Sequence, residues 1–97
     1  MTLVWLSTAL ADRDAQLDYI ARDNPRAAVE QGDRIARQVT QLVEHPEIGR
    51  AGRTHGTREM VVSRTPFVVV YRLRGERIEL LRVLHGALQW PPLVNRK

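Results

Sequence analysis

The chain has 97 residues, with fifteen Lys and Arg against eleven Asp and Glu, a net charge of +4 at neutral pH. Its 43% apolar and 27% charged residues predict one folded domain, residues 1–97, with a modest core. The absence of cysteine excludes disulfides and thiolate metal sites, and His45, His55 and His85 lack carboxylates at ligand spacing, so neither metal nor cofactor is expected.

No run approaches the roughly 18 apolar residues of a membrane span. Met1–Ala11 is fairly apolar but holds no basic residue and meets Asp12 at once, which argues against a signal peptide and for a cytoplasmic protein. The charge is unevenly placed. Residues 1–49 balance to −3, whereas residues 50–97 balance to +7, and fourteen of the fifteen cations are arginine. A basic C-terminal half suits nucleic acid or an acidic protein partner.

Leu3-Val4-Trp5-Leu6 predicts a buried strand. Ser7 or Thr8 offers an N-cap for a helix with Leu10, Leu17, Ile20 and Ala21 on one side. That helix ends at Asp23-Asn24-Pro25, where Asn24 caps a second helix and Pro25 occupies its first turn. Ala28, Gly32, Ile35, Ala36, Val39, Leu42 and Val43 then form a helical stripe that His45-Pro46 ends. So short a joint predicts an antiparallel helix hairpin, with Gly32 allowing close approach.

Residues 46–57 hold three glycines without periodicity and read as a loop carrying Arg50, Arg53 and His55. Strands follow at Arg58–Val62, Phe67–Leu73 and Ile78–Leu84, joined by turns at Ser63–Pro66 and Arg74–Arg77. The middle strand is nearly continuously apolar, so it is expected to be central and covered on both faces. The fold class is therefore α+β: a two-layer β-αα-βββ arrangement with the helix hairpin on one face of a small, mainly antiparallel sheet.

Alternation along the last strand puts Glu79, Leu81 and Val83 on one face and Leu80, Arg82 and Leu84 on the other, with His85 just past its end. Arg82 either pairs with Glu59 or Glu79 at a sheet edge or contacts phosphate. His85 can transfer protons near neutral pH, which arginine cannot, though composition alone favours a histidine merely hydrogen-bonded at a strand end. Arg58-Glu59 opens the strand at Arg58–Val62 and reads as forming an ion pair across to the neighbouring strand. Trp90 fits a plug over the core or a base-stacking ring.

Several segments together resemble the RelE/ParE superfamily of bacterial type II toxin–antitoxin toxins, specifically its ParE-like branch. They are Val4-Trp5-Leu6, Asp18-Tyr19-Ile20-Ala21, Asn24-Pro25-Arg26-Ala27-Ala28, His45-Pro46-Glu47-Ile48-Gly49-Arg50, Gly56-Thr57-Arg58-Glu59-Met60-Val61-Val62, Val69-Val70-Tyr71-Arg72, Ile78–His85 and Gln89-Trp90-Pro91. They span nearly the whole chain in order. The resemblance implies the fold reached above, growth arrest, plasmid stabilisation, and a small acidic cognate antitoxin that carries the pair to operator DNA.

Within that superfamily, RelE-like members cut mRNA on the ribosome and ParE-like members poison DNA gyrase. No lysine precedes Lys97, and Pro66, Phe67 and Val68 stand where histidine-using nucleases place an arginine. A non-nuclease gyrase poison is therefore the favoured expectation. A ribosome-dependent mRNA endonuclease centred on Arg58, Arg82 and His85 is the alternative, and a degenerate toxin acting as corepressor the third. Arg50, Arg53, Gln89, Trp90, Arg96 and Lys97 are the expected target or nucleic-acid contacts. Leu17, Ile35, Val39 and Leu42 are the expected antitoxin anchors, with acidic antitoxin residues meeting the arginine-rich sheet.

Overall fold

The computed structural model describes residues 1–86, in which seven elements follow one another. They are β1 (Thr2–Trp5), α1 (Ser7–Asp23), α2 (Pro25–Glu44), β2 (Arg50–Ala51), β3 (Arg58–Val61), β4 (Phe67–Arg74) and β5 (Arg77–His85). The strands form one sheet in the order β1-β5-β4-β3-β2. β1 runs parallel to β5 and every other neighbouring pair is antiparallel. The expected α+β class and helix hairpin on a mainly antiparallel sheet are present.

The helix joint behaves as its residues dictate. The Asn24 side chain accepts from the Ala27 N–H at 3.1 Å, satisfying a donor that the first turn of α2 cannot pair internally. Pro25 takes the first helical position, where it has no N–H to lose. At the crossing of α1 and α2, a Cβ on Gly32 would sit 3.2 Å from Leu17 Cδ1, so glycine sets how closely the helices approach. The start of α1 differs from expectation. Leu6 is its N-cap and has no side-chain acceptor with which to cap, while the Thr8 hydroxyl donates to the Leu81 carbonyl of β5.

Ala9 of α1 and Ile35, Val39 and Leu42 of α2 project into the core, each at most 1% exposed. They meet alternate strand residues: Met60 and Val62, then Phe67, Val69 and Tyr71 of β4, then Ile78, Leu80 and Val83 of β5. Side chains this size each contribute roughly 1.5–3 kcal/mol on burial. The opposite sheet face also buries Val68, Val70 and Leu84, so β4 is covered on both faces over Phe67–Tyr71 as its apolar run predicts.

Two details overturn the strand reading. The segment after α2 is not all loop: Arg50 and Ala51 form β2, an edge strand paired with Glu59 and Arg58. β5 carries a bulge, since Val70 pairs with Arg82 while Tyr71 pairs with Leu80, leaving Leu81 without a Cα partner. The bulge resets the alternation, so Val83 joins Ile78 and Leu80 in the core and His85 becomes the last strand residue, opposite Phe67.

Candidate functional site

Beyond Trp5, β1 stops and leaves the outer edge of β5 exposed to pairing, a hazard for any sheet. α1 covers that edge with side chains one turn apart. Thr8 Oγ1 donates to the Leu81 carbonyl at 2.7 Å, Asp12 Oδ2 accepts from the Val83 N–H at 3.0 Å, and Gln16 Nε2 donates to the Val83 carbonyl at 2.6 Å. Asp12 also holds Arg82, at 2.7 Å to Nε and 3.1 Å to Nη2. This charged hydrogen bond raises the Arg82 pKa further, against the opposing effect of burial. Arg82 thus pairs with neither Glu59 nor Glu79; its carboxylate comes from a helix seventy residues earlier.

His85 closes this edge. Its ring meets Phe67 edge-on, centroids 6.2 Å apart and planes at 89°. Two shallow clefts share Ala15, Gln16 and His85. One, of about 310 Å³, also reaches Asp12 and Arg82; the other, of about 320 Å³, also reaches Tyr19, Gln31 and Phe67.

Arg58 belongs to a different neighbourhood. It donates from Nη1 to the Gly49 carbonyl at 2.8 Å and reaches the Glu47 carbonyl at 3.4 Å, tying β3 to the segment before β2. Arg58 pairs with Tyr71 and His85 with Phe67, four residues apart on β4 and on strands to either side of it. At about 3.3 Å per residue and 4.8 Å per strand, their backbones lie about 16 Å apart. Arg82 and His85 share a cleft that Arg58 does not line. Arg58 is far from His85, although its backbone lies only about 10 Å from that of Arg82 across β4.

Arg50 and Arg53 converge on Glu59, whose side chain is fully buried. Arg53 gives it both a backbone and a side-chain N–H, and Arg50 adds a second guanidinium at 3.2 Å. Burial pushes the Glu59 pKa up, but these hydrogen bonds outweigh it and hold the carboxyl below its ordinary value. So Glu59 pairs across to Arg50 on the neighbouring strand β2, as expected, and also holds Arg53 just beyond it. An equivalent knot lies on β4 and β5, where Glu79 takes Arg72 Nε at 2.6 Å and Arg77 Nη2 at 2.8 Å. The Arg72 hydrogen bond is the main reason its pKa is lowered, burial opposing and the charges of Arg72, Arg77 and Arg74 assisting.

The anchors expected for the antitoxin need correction. Ile35, Val39 and Leu42 are 0–1% exposed and face the sheet, so they hold the fold and offer no docking surface. Leu17 is half-buried against Gly32. The exposed apolar side chains of the hairpin are Tyr19, Val29 and Val43. Gln89, Trp90, Arg96 and Lys97 lie outside the described residues. Sequence reasoning gave Asp12 no structural role and offered Glu79 only as a partner for Arg82; the tertiary pairing instead joins Asp12 to Arg82 and Glu79 to Arg72 and Arg77. Among the described residues, no three His, Asp or Glu side chains are placed to hold a metal, and no helix is long and apolar enough to cross a membrane.

Comparison with known proteins agrees with this architecture. Residues 3–90 match the family model described as the ParE toxin of the type II toxin–antitoxin system parDE. Y4kP of Sinorhizobium fredii, a protein named as a toxin, is 38% identical over 90 residues, covering 93% of each chain. Toxin RelE1 of Caulobacter vibrioides is 32% identical over 94 residues, 92% of this chain and 99% of that one. A solved structure titled as a chromosomal ParDE toxin–antitoxin system from P. aeruginosa superposes with a TM-score of 0.80 at 32% identity, covering 88% of this chain and 95% of its own. The β1-αα-β2–β5 chain described here belongs to the ParE toxin family of type II toxin–antitoxin systems.

Proposed function

We propose that this toxin arrests growth by contact with DNA gyrase rather than by cutting mRNA, and that a cognate antitoxin neutralises it in the cytoplasm. The separation of Arg58 from His85, together with the fold contacts that already occupy Arg58 and Arg82, supports the reading. Phosphodiester cleavage needs donors and a proton-transfer group aimed at one phosphate. Here Arg58 is spent on the Gly49 carbonyl and Arg82 is held by Asp12, so two of the three candidate groups already serve the fold. The target contact then falls to the segment Gln89–Lys97. Family membership supports the antitoxin partner; operator DNA is reached through that antitoxin.

A ribosome-dependent endonuclease draws support from the cleft shared by Asp12, Arg82 and His85, and one experiment separates the two. The chain is induced without antitoxin, and plasmid supercoiling and ribosomal A-site mRNA cleavage are followed in parallel. The gyrase reading expects lost supercoiling, a His85→Ala variant that stays toxic, and loss of toxicity when Leu93–Lys97 is removed. An endonuclease expects mRNA cleavage that His85→Ala lowers by about 100- to 10,000-fold, the usual worth of general acid–base catalysis. Normal growth at verified expression would support a corepressor without toxicity.

A further inference from the structure

The sheet face turned away from the helices has a composition that the gyrase reading leaves unused. Glu59 lies between Arg58 and Met60, and Met60 points into the helix-side core, so Glu59 projects from the opposite face. Glu79, flanked by the core residues Ile78 and Leu80, does the same. Each carboxylate is buried beneath two arginines: Arg50 and Arg53 over Glu59, Arg72 and Arg77 over Glu79. Arg74 stands opposite Arg77 in the β4–β5 register, and Glu76 in the turn is the one exposed acid beside them.

The arginines are fixed from below and open above. Their side chains are 63%, 38%, 37% and 52% exposed for Arg50, Arg53, Arg72 and Arg77. A guanidinium held on one side by a buried carboxylate keeps further N–H groups for an anion, at little extra ordering cost. From these two knots we propose that the helix-free sheet face binds the phosphate backbone of duplex DNA through its paired arginines, independently of sequence.

Spacing and composition select the duplex. Glu59 pairs with Val70 and Glu79 with Arg72, two residues apart along β4 and on strands either side of it. The two knots are therefore about 12 Å apart, close to the roughly 12 Å major groove across which the two backbones face each other. No described aromatic ring lies on this face: Phe67 and Tyr71 are in the helix-side core, Trp5 packs against it, and Tyr19 is on α1. Single strands are gripped by stacking bases on aromatic rings, so an arginine face on which no described residue places a ring suits contact with the backbone. Val68, Val70 and Leu84 are buried, and Val61 is the one large apolar side chain that the described residues expose on this face, against the clustered apolar anchors of a protein partner's site. The proposal does not depend on gyrase being the target.

Fluorescence anisotropy with the full chain tests it, using labelled duplexes of two unrelated sequences, the matching single strand, and poly-glutamate as competitor. Both duplexes should bind equally and more tightly than the single strand, with log affinity falling against log salt at a slope of about −2 to −4, about −0.9 per phosphate. Arg50→Gln/Arg77→Gln should weaken duplex binding roughly tenfold at moderate salt. Arg22→Gln/Arg26→Gln, the same charge change on the helix hairpin, should leave it unchanged. If the first variant melts early, Arg74→Gln, at the exposed end of β4, must show the loss instead. Equal loss in the helix variant, an unaffected sheet variant, or tighter binding of poly-glutamate than of duplex would overturn the proposal, the last by making the face an acidic-protein site.

Discussion

Asp12 holds Arg82 through both carboxylate oxygens and takes the neighbouring Val83 N–H on the same Oδ2. One acid therefore does two jobs at the edge of the sheet: it neutralises an arginine and closes a strand donor that β1 is too short to reach. Thr8 and Gln16, four residues before and after it, complete the closure. The polar stripe of α1 is thus fitted to the bulged half of β5, and the bulge is what brings Val83 into the core while Arg82 turns toward the helix.

Replacing Asp12 should therefore cost more than replacing its partner. Asp12→Ala strands the Val83 N–H and leaves Arg82 without this carboxylate, a loss of about 1–3 kcal/mol and a Tm lower by about 4–8 °C per kcal/mol. Arg82→Ala leaves the Val83 cap in place and should cost less. Thermal melts of the two variants decide it, and an equal or larger drop for Arg82→Ala would refute the double role.

The acid limb of stability should belong to Glu59 and Glu79. Both carboxyls are held below their ordinary value of 4.5, so the stability they supply is complete above that pH and is lost as pH falls through their lower, folded values. Tm should be flat from neutrality to about pH 5 and then decline. Glu59→Gln and Glu79→Gln should each start lower at neutral pH and decline less steeply. An acid limb as steep in the double variant as in the parent would assign it to other carboxyls.

What the sequence could reveal divides by range. The Asn24–Pro25 joint, the Gly32 approach, the apolar stripe of α2 and the strand β4 covered on both faces rest on neighbours within a turn or on strand period, and these are legible directly. The bulge at Leu81 is not, because inserting one residue into an apolar run leaves no local mark. Neither is the pairing of Asp12 with Arg82 or of Glu59 with Arg50 and Arg53. An amphipathic stripe also shows only that a face is covered, not by what; Ile35, Val39 and Leu42 would suit a partner's surface as well as the sheet that covers them.

That distinction gives a third prediction. Leu42→Ala should lower stability by about 2–5 kcal/mol, as a cavity in a packed core does. Tyr19→Ala and Val29→Ala, at positions 69% and 64% exposed, should change stability by less than about 0.5 kcal/mol. Antitoxin affinity, measured calorimetrically on folded protein, should fall for the exposed pair instead. Unchanged affinity in both exposed variants would move the antitoxin off this hairpin.

The segment between α2 and β3 is fastened by one phenol. Tyr71 donates its hydroxyl proton to the Pro46 carbonyl at 2.8 Å and accepts from the Gly49 N–H at 2.9 Å, closing the bend that leads into β2. A Cβ on Gly49 would lie 2.6 Å from the same oxygen, so the bend tolerates no side chain there. Tyr71→Phe removes both bonds and should cost about 1–3 kcal/mol, while Gly49→Ala should loosen β2 without emptying the core. Burial raises the Tyr71 pKa above its ordinary value of 10.0, although the Gly49 bond and the Arg58 charge oppose the rise. The unfolded chain therefore releases this proton first, and stability should be full below pH 10 and fall as pH rises beyond it. Tyr71→Phe should be less stable at neutral pH and show a shallower alkaline decline. Faster amide exchange in Gly49–Ala51 should accompany both variants, and unchanged exchange there would mean that the bend is held by other contacts.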